Sequence, residues 1–312
     1  MTPAEPLPLD AYAAARWVGY VGLFGVVGAS GSAALLLRAA RRAGHPNAAW
    51  SVAARTAFHV GLFAALLLVA ATLARLVGQT RTFLDPGELL TRATFSAVLG
   101  TDWGRHWWWQ LGSGVAAALG LAAAARWPAA RALAALGALA ALGTTPLTGH
   151  AIESPLGAPI GVLVQSLHLL GGALWVGTLA VLLLAAGRAT RGDADARAAM
   201  LAPLIAAFSP LALASAATVV VAGLGMAYAD VGAFAALWTT TYGRVLLAKT
   251  AVVGLVLLLG AFNWRRVRPM LGSPAATALL ARSAGTEVAL GALLLGVTAL
   301  LVALAAPAIG HP

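Results

Sequence analysis

Long apolar stretches separated by short polar breaks run along the whole chain, with charged residues gathered in the breaks. About 20 helical residues cross the roughly 30 Å of bilayer hydrocarbon. Segments of that length and character fall at 13–37, 51–77, 104–127, 129–148, 160–186, 205–229, 243–264 and 283–309. They predict about eight transmembrane helices. The ten-residue alternation that a membrane β-barrel needs is absent, and runs of Ala, Leu and Gly dominate. The expected fold class is therefore all-α, a polytopic membrane protein in direct contact with the lipid bilayer.

Composition supports this class: 61% of residues are hydrophobic, 10% are charged, and the mean hydropathy is +0.87. A net charge of +10 invites a nucleic-acid partner, but the placement of the charges gives a different account. Arg38, Arg41, Arg42, Arg55, Arg126, Arg131, Arg188, Arg191, Arg197, Arg265, Arg266, Arg268 and Arg282 fall on one side of the predicted bundle, 13 of the 20 basic residues. The positive-inside rule makes that side cytoplasmic and turns both termini outward. No nucleic-acid partner is expected. An acidic, Pro-containing start without a basic n-region predicts a retained first helix rather than a cleaved signal peptide. The absence of cysteine excludes disulfides and thiolate metal sites, leaving His, Met and oxygen as ligands.

Two motifs occur twice in the same order. Thr101-Asp-Trp-Gly104-Arg105 returns as Thr240-Thr-Tyr-Gly243-Arg244, and Pro146-Leu-Thr-Gly149-His150 returns as Pro307-Ala-Ile-Gly310-His311. They predict two parallel four-helix repeats, 1–150 and 151–312, related by an axis along the membrane normal. Recurrent helix-end signals are the plainer explanation of the same motifs, and for Arg105 and Arg244 the plainer role is contact with lipid headgroups.

The candidate chemistry lies in the histidines. His106, His150, His168 and His311 are expected near the outer face, with Met226 placed to join them; imidazole suits Cu, Zn, Fe and Ni, and a thioether favours Cu(I). Gln165, His168, Gly172 and Trp175 share one helical face, so Gln165 is placed to orient the imidazole. Other readings stand beside these: His168 bonded to a hydroxyl of a packed helix, His106 in an interfacial aromatic belt with Trp107, Trp108 and Trp109, and His150 and His311 solvated after helix ends. A deeper polar set, His59, Glu287 and Asn263, suits the inner end of an ion path or proton relay. Lys249 either snorkels outward or neutralises Glu287 or Asp230.

The second half resembles the copper resistance protein D (CopD) family of bacterial inner-membrane proteins. The resemblance rests on His168-Leu-Leu-Gly-Gly-Ala-Leu-Trp175-Val-Gly177, Thr240-Thr-Tyr-Gly243-Arg244-Val-Leu-Leu-Ala-Lys249, Asn263-Trp-Arg265 and Glu287. It covers roughly 160–307 well and the first half more loosely, through Thr101 to Trp109 and Gly149-His150. It implies a non-enzymatic role in moving copper ions across the cytoplasmic membrane, in many members together with a periplasmic copper-binding CopC-like partner. No CopC-like β domain or Met-rich segment is present, so copper would arrive from a separate protein or from solution. The expected path runs from the outer histidines, between the two halves, towards His59, Glu287 and Asn263. With no phosphate-binding Gly-x-x-x-x-Gly-Lys loop, ATP is not expected to drive it directly. The alternative reading is a haem b electron-transfer protein, with two helix-borne histidines as axial ligands.

Overall fold

A computed structural model describes residues 11–42, 48–85, 87–124 and 126–304; His45 and His311 lie outside the described residues, as does the second Gly-His motif. The elements in chain order are α1 (Ala11–Arg42), α2 (Ala48–Arg81), α3 (Arg92–Leu99), α4 (Asp102–Ala123), α5 (Ala130–Thr144), α6 (Ala158–Gly172), α7 (Thr178–Ala189), α8 (Ala194–Val231), α9 (Ala236–Thr239), α10 (Thr241–Phe262) and α11 (Pro274–Leu301). A π-helical turn, Ala173–Gly177, joins α6 to α7 into one rod, and a second, Asn263–Val267, continues α10.

All eight predicted helices are present. Among the described residues, seven rods are long and apolar enough to cross a membrane: Ala11–Arg42, Ala48–Arg81, Ala130–Thr148, Ala158–Ala189, Ala194–Val231, Thr241–Met270 and Pro274–Leu301. The remaining one, α4, has 22 residues, but its Asp102, Arg105, His106 and Gln110 make it less apolar. The protein is a multi-pass helical membrane protein. Two helices start well before their predicted spans: α8 at Ala194, capped by Asp193, and α11 at Pro274, capped by Ser273. In each cap the side-chain oxygen accepts from the N–H three residues on, satisfying a donor that the helix leaves free.

The twice-occurring Thr-x-x-Gly-Arg motif has the same local structure at both sites. Thr101 Oγ1 accepts from Gly104 N at 3.2 Å, and Thr240 Oγ1 accepts from Gly243 N at 3.0 Å. Each glycine is pressed against the short helix before it: a Cβ on Gly104 would lie 2.5 Å from Leu99 Cα, and one on Gly243 would lie 2.5 Å from Leu237 Cα. The motif thus caps a long helix while a short preceding helix crosses its first turn. Arg105 is exposed and pairs with Asp102 at 2.9 Å, and Arg244 is exposed.

The core is built on α1, which packs against α2, α5, α7, α8, α11 and the first π turn. Small residues set the approach, as expected where helix association depends on close packing rather than on excluding water. At the crossing of α1 with the π turn, a Cβ on Gly28 would lie 2.7 Å from Thr178 N. Gly28→Leu is therefore expected to lower stability by about 1–3 kcal/mol or more, read as a lower melting temperature in detergent, whereas the same change at Gly187, which has open space around it, should be nearly neutral.

Candidate functional site

Two cavities lie in series among α6, α8, α10 and α11. The first, about 300 Å³, is lined by Gln165, His168, Met226, Asp230, Tyr242 and Lys249 among apolar neighbours. His168 comes from the last third of α6 and meets α8, where Gly223 leaves room for the ring; a Cβ there would lie 3.1 Å from Cε1. His168 Nδ1 lies 3.0 Å from Val219 O. A carbonyl oxygen only accepts, so Nδ1 carries the proton and donates, and in the neutral ring Nε2 holds the free lone pair. The main-chain partner on α8 replaces the Ser or Thr partner of the plainer reading. Met226 follows Gly223 by three residues on α8, close to one turn.

Three polar groups of this chamber, Asp230, Tyr242 and Lys249, lie on α8 and α10. Tyr242 OH donates to Asp230 Oδ2 at 3.0 Å, and Lys249 lines the same cavity. Of the two partners expected for Lys249, Asp230 shares its cavity and Glu287 lines a different one.

The second cavity, about 320 Å³, is lined by Trp175, Asn263, Arg265, Arg268 and Glu287 among apolar side chains. Glu287 is 3% exposed. It accepts from Asn263 Nδ2, while Ser283 Oγ donates to Asn263 Oδ1 at 2.6 Å. The Trp175 indole is the other polar neighbour of its carboxylate. Trp175 and Asn263 each sit on a π turn, a single extra residue in the helical ladder that re-aims side chains and recurs at functional sites. Both turns aim their polar side chain at the same carboxylate. Because α11 begins at Pro274, Glu287 stands at mid-helix, 13 residues from Pro274 and 14 from Leu301, rather than near the start of the span.

Leu257 lines both cavities. At the arginine-rich end, Trp264, Arg265, Arg268 and Pro269 line a wide mouth.

Several expected groupings differ. Both chambers are lined by residues of the second half of the chain, whereas the expected path ran between the halves; α1 packs closely on the first π turn and α7, where Gly28 meets Gly177. His59 is exposed on α2 with its ring edge-on to Phe58, and it lines neither chamber. His106 is on α4, its Nδ1 buried without a partner among the described residues, and it lines neither chamber. The backbone of His150 is in a 3-10 turn, His150–Glu153. Trp175 leaves the face of Gln165 and His168 for the second chamber because the π turn rotates the rod between them. Among the described residues no three His, Cys, Asp or Glu side chains gather into a metal-holding group, and no second histidine faces His168 in its chamber. Sequence reasoning passed over Ser283, Val219 and Gly223, which position Asn263 and His168.

A family model described as Copper resistance protein D matches residues 202–301, and one described as Copper resistance protein D-like, N-terminal domain, matches residues 7–158. The chain belongs to the CopD family. The first match spans most of α8 and all of α10 and α11, and so contains Asp230, Tyr242, Lys249, Asn263 and Glu287; His168 and Trp175 lie between the two matches. The CopD chain is also 31% identical over 123 residues to the copper transport protein CutJ of Bacillus subtilis (strain 168), a stretch covering 39% of this chain and 22% of that relative. No solved structure matches the chain.

Proposed function

We propose that this CopD-family chain moves copper ions across the bacterial cytoplasmic membrane, inward, through the two chambers in turn. The observation that carries the reading is their arrangement in series. A half-buried imidazole and a thioether, the donors that suit Cu(I), stand in the outer chamber; a buried carboxylate and amide stand in the inner one; and a single leucine is shared by the two walls. The similarity to a copper transport protein supports copper as the substrate. In this reading His168 Nε2 and Met226 Sδ take the ion first, the Asp230 carboxylate offsets the nearby Lys249 ammonium, and Glu287 receives the ion beyond Leu257. The arginine-rich ends are cytoplasmic in this reading, and a CopC-like periplasmic protein delivers the metal to the opposite face.

Uptake of copper into liposomes containing the purified protein tests the reading: influx well above protein-free vesicles is expected, and none would overturn it. Leu257→Trp, which fills the wall between the chambers, should reduce influx at least tenfold while copper still binds the outer chamber; unchanged influx would place the path elsewhere.

A further inference from the structure

The first half of the chain holds a third, smaller cavity that the copper path does not use. It has a volume of about 20 Å³ and is lined by Arg16, Tyr20, Thr72, Arg75, Gln110, Thr145, Thr148 and, from α6, Gln165. Arg75 is 8% exposed. Its two terminal nitrogens donate to neutral oxygens, Gln110 Oε1 at 2.8 Å and Thr148 Oγ1 at 2.9 Å. Its Nε is buried with no partner among the described residues, and so is the Nε of Arg16, whose guanidinium stacks 4.0 Å from the Tyr12 ring centroid.

A guanidinium does not lose its proton in a protein. Two of them therefore bring two positive charges to one small buried space, where like charges repel and an uncompensated charge is costly. Among the described residues no carboxylate lines the cavity, and the ion pair found among them, Arg105 with Asp102, is elsewhere. The neutral oxygens that meet Arg75 are already engaged with one another. Thr145 Oγ1 donates to Ala141 O at 2.8 Å and accepts from Gln110 Nε2 at 3.0 Å, and Thr148 Oγ1 donates to Thr145 O at 3.1 Å. What remains unpaired is donors on cations. Water would satisfy an N–H but not the charge.

We propose that this cavity is a binding site for one small monovalent anion of the halide class, chloride under ordinary conditions, held by Arg75 and Arg16. The volume decides the size. Space of about 10–15 Å³ admits one water-sized particle, so a monatomic anion fits, while sulfate, phosphate and organic carboxylates do not. Gln165 and Val302 line both this cavity and the His168 chamber, so the anion would sit one side chain away from the chamber that takes a cation. The site stands independently of the copper reading.

The test is thermal unfolding of the full-length protein in detergent, with chloride or bromide replaced by gluconate at constant ionic strength. A ligand that binds only the folded state raises stability with its concentration. A halide-specific rise on the order of 5 °C is expected for the wild type, smaller in Arg75→Lys and absent in Arg75→Gln. Should Arg75→Gln fail to fold, Arg16→Gln serves in its place, and chloride-35 line broadening by the wild type, reversed by bromide, gives a reading without any variant. Equal melting in halide and gluconate, or an unbroadened chloride line, would mean that the cavity holds water only and would overturn the proposal.

Discussion

Replacing His168 with alanine is expected to bring copper influx down to the protein-free background, a loss of roughly tenfold or more. The geometry makes this residue harder to replace than its half-buried position suggests. Nδ1 is committed as donor to Val219 O, which fixes the ring, sets the tautomer and leaves Nε2 facing the chamber as the lone-pair donor. Alanine removes both the ligand and the contact that holds α6 to α8 at Gly223. His168→Gln separates the two effects. Its amide nitrogen can still donate to the Val219 carbonyl, so the melting temperature should stay near that of the wild type while influx is lost. Met226→Leu, which keeps the volume and removes the thioether, should weaken copper binding less than His168→Ala and leave folding intact.

Glu287→Gln is expected to reduce influx by a comparable factor while the protein stays folded. The glutamine oxygen can accept from Asn263 Nδ2 as the carboxylate does, so the chain Glu287–Asn263–Ser283 survives while the charge and the acceptor facing the Trp175 indole are removed. Glu287→Ala differs in kind. It leaves the buried Asn263 amide without its acceptor, costing about 1–3 kcal/mol, and should lower the melting temperature as well as influx. The pair of variants, assayed for copper influx and for thermal unfolding, thus distinguishes a charge used in transport from one kept for packing. Influx retained in a folded Glu287→Gln would assign the carboxylate to structure.

Much of the frame was legible in the sequence because membrane helices carry their own signal. The apolar spans locate all eight rods, the arginines mark one end of the bundle, and Gln165, His168, Asn263 and Glu287 are conspicuous as polar residues in apolar runs. The two π turns were not legible: an extra residue in the helical ladder changes no residue type, yet it moves Trp175 off the face of His168 and onto Glu287. Helix starts beyond the apolar core were missed for a related reason. Asp193 and Ser273 cap α8 and α11 outside the spans that hydropathy recognises, and α11's earlier start puts Glu287 at its centre. The short helices α3 and α9 lie in stretches too brief for periodicity to declare. Partners across the bundle are invisible to single-chain spacing. Arg75 reads as one more outer-side charge until α4 and the turn after α5 bring Gln110 and Thr148 to it, and His59 reads as an inner-path residue until α2 turns it outward.

The measurement that bears most directly on the account is the copper content of the purified, folded protein, wild type beside His168→Ala, by mass spectrometry after growth with copper and iron both supplied. The account predicts about one copper per wild-type chain and a clear loss in the variant, as expected when a single imidazole anchors the ion. Equal copper in both proteins, or stoichiometric iron with a haem absorption band, would contradict it.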